Sequence, residues 1–306
     1  MPMFQNHAGI NITNSKMQLV EVNYSGEEFT IENVDEEYFN EFLDLNAKET
    51  KVISILQNAF DEMVMRRPLK SKLVSFTLPH DFFHVVKLPF DSTLVQSDLL
   101  EHFKWELSVL YPKISEDEIV AQNIEVESQN NKGRAAIVIS TFRKYLKLLN
   151  NFCLQNELKL KYIDNVHIAS DRVISLINCF TEQEVVLSVY ITGSHLSLIF
   201  LLNGKPIHFK VIPIANASEI IPRLAEEINV SRELNIDPGF ISRSFIAGDN
   251  ISDSMIEKAK EKLNINFSRF NPFEEIKVNP ELFELKAFTE RSNSFSSAAG
   301  IAYRLV

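Results

Sequence analysis

The strongest constraint on this chain is a pattern that occurs twice. Segments around Gly9 to Val22 and Phe29 to Val34 alternate apolar and polar residues with β-branched enrichment, and a helix-spaced stretch follows from Lys48 to Arg67. About 175 residues later, Val185 to Ile191, Leu196 to Leu202 and Pro206 to Ile212 read as three strands, with Ala217 to Leu234 as the helix after them. Strands followed by a helix, repeated without obvious identity, predict an α/β fold of two duplicated lobes with mixed sheets. Matched lobes of this kind hold a ligand in a central cleft. The expected lobes are residues 1–165, with an inserted subdomain at about 90–133, and residues 166–306.

The intervening segments fit this plan. In the first helix Val52, Ile55, Leu56, Ala59, Phe60 and Met63 form one buried stripe, and Pro68 ends it. Asn23 to Gly26 reads as a turn, and Leu73 to Leu78 and Val85 to Leu88 as short strands closed by Pro79 and Pro89. A second amphipathic helix runs from Leu94 to Tyr111, with Leu99, Phe103, Leu107 and Leu110 on one side, Trp105 beside them and Pro112 as its stop. Ile119 to Val126 and Ala135 to Ser140 pair across a polar tip at Ser128 to Gly133. A helix from Phe142 to Leu158, a strand from Lys159 to Tyr162 and a helix from Val166 to Phe180 lead into the second lobe.

Composition excludes several functions. With 41 acidic against 31 basic side chains the net charge is −10, and no dense basic cluster offsets it, so nucleic acid is a poor partner. Only 8 glycines occur, where average usage near 7% gives about 21, so a glycine-rich phosphate loop has little to be built from. Cys153 and Cys179 lack metal or redox spacing and read as reduced and buried. No apolar run approaches the ~18 residues of a membrane span and no leader opens the chain, so a cytoplasmic location is expected. His80 and His84 lack a third ligand for a metal, and the acids at 35–37 and 116–118 read as helix starts or wet loops. No nucleophile elbow, Walker loop, dinucleotide fingerprint or kinase signature is present.

A family resemblance runs through the chain in collinear order. Gly9-Ile10-Asn11-Ile12-Thr13-Asn14-Ser15, then Leu19-Val20-Glu21-Val22, resembles the opening G-I-D-I-G-S and L-V-E-L of the type IV pilus assembly PilM family, actin-like proteins related to FtsA. Phe76-Thr77-Leu78-Pro79, Val86-Lys87-Leu88-Pro89 and His102-Phe103-Lys104-Trp105-Glu106 ahead of Tyr111-Pro112 resemble later motifs of its first lobe. Asn203-Gly204-Lys205 with Ile212-Pro213-Ile214, the segment 260–265 leading to Asn271-Pro272-Phe273, and Ala298-Ala299-Gly300-Ile301-Ala302 resemble those of its second. The resemblance implies a two-lobed actin-like, ribonuclease H-like duplicated fold, with a C-terminal helix at about 294–304 packing back on the first lobe.

Departures from the family matter more than matches. Actin-like ATPases hold hydrated magnesium with an aspartate in each of two phosphate loops, and adjacent glycines let backbone N–H groups reach the phosphates. Here Asn11 replaces the first aspartate and Thr13 its glycine, while Tyr190 and Thr192 stand at the second pair, with Gly193 one position late. The degenerate nucleotide-loop positions are therefore Asn11, Thr13, Asn14, Ser15, Thr192, Gly193 and Ser194, and on the adenosine side Gly248 and Asp249. Without the carboxylates, metal-assisted phosphoryl transfer loses most of its charge stabilisation. The expected function is that of a pseudo-ATPase scaffold in pilus or related secretion-machine assembly, with no catalytic residue, metal or cofactor. Its implied partner is a PilN-like bitopic inner-membrane protein, whose cytoplasmic tail would hold the chain at the membrane. The alternatives are an enzyme that binds ATP and magnesium through Asn11, Ser15, Ser194 and Asp249, and an orphan actin-like or secretion-platform protein that shares the fold and works elsewhere, or one that self-associates into polymers like FtsA.

Overall fold

The computed structural model describes residues 6–25, 28–91, 93–112, 115–126, 134–177, 180–181, 184–233, 241–274 and 276–304. The polar tip at 128–133 and Cys179 lie outside the described residues. In chain order the elements are β1 (His7–Ile12), β2 (Lys16–Ser25), β3 (Glu28–Tyr38), α1 (Glu49–Arg66), β4 (Leu73–Leu78), β5 (His84–Phe90), α2 (Gln96–Leu110), β6 (Ile119–Val126), β7 (Arg134–Phe142), α3 (Arg143–Gln155), β8 (Lys159–Asn165), α4 (Val166–Ile177), β9 (Val185–Ile191), β10 (His195–Leu202), β11 (Lys205–Pro213), α5 (Ile220–Glu233), β12 (Ile241–Gly248), α6 (Asp253–Leu263), β13 (Phe267–Arg269), β14 (Lys277–Val278), α7 (Lys286–Thr289) and α8 (Ser296–Ala302). They form two compact units interleaved in sequence, one of residues 1–79, 144–178 and 270–306, the other of residues 80–143 and 179–269. The interleaving arises because the chain leaves the first unit after β4, returns for α3, β8 and α4, and returns again for its last segment.

In the first unit the sheet order is β14-β3-β2-β1-β4-β8. The β1–β2 and β2–β3 pairs are antiparallel, whereas β1–β4 and β4–β8 are parallel. The second unit carries β11-β10-β9-β12-β13, again antiparallel for its first two pairs and parallel for its last two. Leaving aside the short edge strand β14, the two sheets share one order and one sequence of orientations, so the repeat expected from the pattern of strands is realised strand for strand. Every residue of the central strand β9 is buried, as an unbroken V-V-L-S-V-Y-I run requires of a strand covered on both faces.

Helix α8 is short and wholly buried, packing on β1, β2, β4 and α4. Two glycines make this approach possible. A Cβ on Gly9 would lie 2.0 Å from the Ala298 carbonyl oxygen, and one on Gly300 would lie 1.7 Å from that of Ala169. The serine hydroxyls of the helix are satisfied locally: Ser297 Oγ donates to the Val166 carbonyl at 2.8 Å, and Ser296 Oγ pairs with Ser170 Oγ at 2.9 Å.

The second unit also holds a small sheet, β5-β7-β6, covered by α2 through Leu99, Phe103 and Leu107. Three local expectations are corrected here and in the first unit. Asn23, Tyr24 and Ser25 are the end of β2, paired with Thr30, Phe29 and Glu28 of β3, and Gly26 lies outside the described residues. Pro89 lies inside β5, opposite Ala135; β5 is an edge strand, the place in a sheet where proline is tolerated. Leu110 and Trp105 are not on the core side of α2: they are 50% and 54% exposed, since the stripe through 99, 103 and 107 alone meets the sheet.

Candidate functional site: two threonine-closed loops

Duplication brings the two sequence-predicted loops into the same place within their own sheets. Thr13-Asn14-Ser15 joins β1 to β2, and Thr192-Gly193-Ser194 joins β9 to β10. Asn11 pairs across the hairpin with Gln18 and across the parallel neighbour with Thr77; Tyr190 pairs likewise with Ser197 and Ala247. Asn11 and Tyr190 are therefore equivalent positions, as the motif alignment implies.

Both loops are closed in the same way by their threonine. In the first, the Thr13 N–H donates to the Lys16 carbonyl at 2.9 Å, and the Thr13 hydroxyl accepts from the N–H groups of Ser15 at 3.2 Å and Lys16 at 3.0 Å. In the second, the Thr192 N–H donates to the His195 carbonyl at 2.9 Å, and the Thr192 hydroxyl accepts from the His195 N–H at 3.0 Å. Following segments then seal the loop carbonyls: Phe39 N–H donates to Ser15 at 2.8 Å, Leu43 N–H to Asn14 at 2.8 Å, and Ile214 N–H to Ser194 at 2.9 Å. A phosphate cradle needs converging, unsatisfied N–H groups. Here the Thr13 hydroxyl takes the N–H groups of Ser15 and Lys16, and the Thr192 hydroxyl takes that of His195.

The side chains are also committed. Asn11 is buried, its Nδ2 donating to Gln18 Oε1 at 2.9 Å while its Oδ1 accepts from the Thr77 hydroxyl at 2.9 Å. Gln18 continues the chain of bonds, donating to Glu36 Oε2 at 3.2 Å and to the Ser294 hydroxyl at 3.1 Å. Lys16, the cation next to the first loop, meets Glu36 at 3.4 Å, both side chains being less than a tenth exposed. Arg291 also pairs with Glu36. Gln18, Glu36 and Thr77 are absent from the sequence-predicted set. Reflecting the strand about the Thr13–Ser15 turn would have found Gln18; Thr77 and Glu36 become neighbours only through strand order.

In the second unit the Ser194 hydroxyl lies 2.9 Å from Nδ1 of His195, whose Nε2 is 3.5 Å from Asp81 Oδ1. The rings of His80 and His195 lie 6.1 Å apart. This constellation holds the loop to the turn before β5. The serine's partner is its own sequence neighbour.

Gly248 and Asp249 serve the end of β12. Gly248 has φ +106°, and a Cβ there would lie 2.0 Å from the Ile191 carbonyl oxygen, which accepts the Asp249 N–H at 2.9 Å. Backbone approach to β9 accounts for this glycine. Gly193 is different: a Cβ there meets nothing within 4 Å.

Titration elsewhere reflects burial. The Cys153 thiol is pushed up to about 12 by desolvation in the core, and the His7 imidazole is lowered to about 4 by desolvation and the nearby cations Lys161 and Arg304. Among the described residues, no group of three or more His, Cys, Asp or Glu side chains is arranged to hold a metal ion.

The order and orientation of strands in both sheets define the class: this is an actin-like ATPase fold. It is similar to a Bacteroides thetaiotaomicron protein with actin-like ATPase fold and unknown function, at a TM-score of 0.55 and 10% identity over 98% of this chain and 96% of that one. It is more similar to a chain of the PilM–PilN type IV pilus biogenesis complex, at a TM-score of 0.78 and 16% identity over 97% of both chains. The fold implied by the PilM-like motifs is thus the fold found. No protein-family model and no curated protein matches the chain.

Proposed function

We propose that this protein is an actin-like assembly factor that works by binding rather than by turning over nucleotide, in a type IV pilus or related secretion machine. One observation carries the first half of the reading: each loop spends its threonine hydroxyl on its own N–H groups, and Asn11 spends both ends of its amide on Gln18 and Thr77. An amide neutralises no magnesium charge, and a satisfied N–H has nothing left to give a phosphate. Residues present at these positions do not fit magnesium-ATP, and no step of phosphoryl transfer is assigned to them.

The second half is supported by likeness to the PilM–PilN complex, a structure of type IV pilus biogenesis. On that likeness the partner is the cytoplasmic tail of a bitopic inner-membrane protein, and the location is cytoplasmic, peripheral to that membrane. Among the described residues no helix is long and apolar enough to cross a membrane. Deletion of the gene is expected to abolish a pilus-dependent phenotype, such as surface motility or filament display. Affinity purification from the native membrane fraction should recover one bitopic protein in stoichiometric amount. Normal filaments in the deletion strain would contradict the assignment to this machine.

A further inference from the structure

In the second unit, α2 turns Leu99, Phe103 and Leu107 onto the small sheet and leaves its opposite face in water. That face carries Val95, His102, Trp105 and Val109, spaced as one helical stripe. Val95 is 61% exposed, and Trp105 and Val109 are each 54% exposed. Trp105 lies against His102, with ring centroids 6.3 Å apart and planes at 28°. An exposed tryptophan with an exposed valine one turn along the helix is the composition of a binding hot spot.

Charge around the stripe selects the occupant. Helical periodicity sets Glu101 along one border and Glu106 along the other, with Asp98 within the stripe. Ser108 donates to Glu116 at 3.2 Å, which places a further carboxylate beside the C-terminal end. Lys104, the only lysine of the helix, projects to a different side. A second copy of this face would set carboxylates against carboxylates, and an anionic lipid surface would be repelled in the same way. We propose that the outer face of α2 docks a basic amphipathic helix of another protein, its apolar side over Trp105 and Val109 and its lysines or arginines toward Glu101 and Glu106. This goes beyond the reading above and does not depend on the state of the loops.

Trp105 is the chain's single tryptophan, so its emission reports contact directly. The full chain is titrated with a synthetic amphipathic helix bearing leucine on one face and lysine along both flanks, and with a twin in which glutamate replaces lysine. A saturable blue shift with the lysine peptide is expected, at least tenfold weaker with the glutamate twin and weakened by salt, which screens exposed pairs over about 8–10 Å. Val109→Asp should lose the shift while keeping the circular dichroism spectrum and melting temperature of the parent. Glu101→Lys should narrow the preference between the two peptides. Equal binding of both peptides, no shift with the lysine peptide, or unchanged binding by Val109→Asp would overturn the proposal. So would a blue shift produced by anionic vesicles, or one that appears with protein concentration alone and accompanies dimers in sedimentation.

Discussion

Asn11 is held at both ends of its amide. Its amide donates to Gln18 and accepts from Thr77 in a site with 1% exposure, a pairing a carboxylate cannot reproduce because Gln18 presents an oxygen to it. Asn11→Asp is therefore expected to lower stability by about 1–3 kcal/mol or more in chemical denaturation at neutral pH, the range for a buried polar group left unsatisfied, with a charged group at its upper end. An Asp variant as stable as the parent would show that the hydrogen-bonded network is not what fixes this position. His7 tests burial by pH. Unfolded, its imidazole titrates near 6.5; folded, it is held at about 4, so between those values the unfolded state binds more protons. Its contribution is full above about 6.5, declines as pH falls toward about 4, and amounts to about 3–4 kcal/mol at most. Denaturation at pH 7.5 and 4.5 should show a smaller pH dependence in His7→Gln than in the parent, and identical slopes would contradict the assignment.

At the level of elements, much was legible because two strand-rich segments must each find a helix to cover them. The strand runs at 73–78, 119–126 and 185–191 and the buried stripe of α1 follow directly from period-two and period-3.6 patterning. Less legible were features set by neighbours distant in sequence. Pro89 reads as a terminator until β5 proves to be an edge, and Trp105 reads as lying beside the apolar stripe until the sheet proves to cover only the face of Leu99, Phe103 and Leu107. The loops were found from motif positions, but their closure by Thr13 and Thr192 is a matter of geometry that spacing does not reveal. Glycine illustrates the same limit. Gly248→Ala is expected to cost more than about 3 kcal/mol or to prevent folding, because it combines φ +106° with a Cβ placed 2.0 Å from the Ile191 oxygen. Gly193→Ala, in open space, should change stability by less than about 1 kcal/mol. Thermal melts of the two variants separate these cases, and equal losses would show that the β9–β12 contact is looser than described.

On the scale of the whole molecule, a duplicated fold supplies two equivalent loops, and a threonine hydroxyl accepts backbone N–H groups in both. The proposed function assigns the work of this actin-like architecture to its surfaces, in keeping with function residing in sites rather than in folds. Titration calorimetry of the full chain with magnesium-ATP tests this most directly. Silence up to millimolar nucleotide is the expected result, together with no phosphate release above buffer. A saturable heat with micromolar affinity, weaker without magnesium, would contradict it and return the protein to the nucleotide-driven members of its fold.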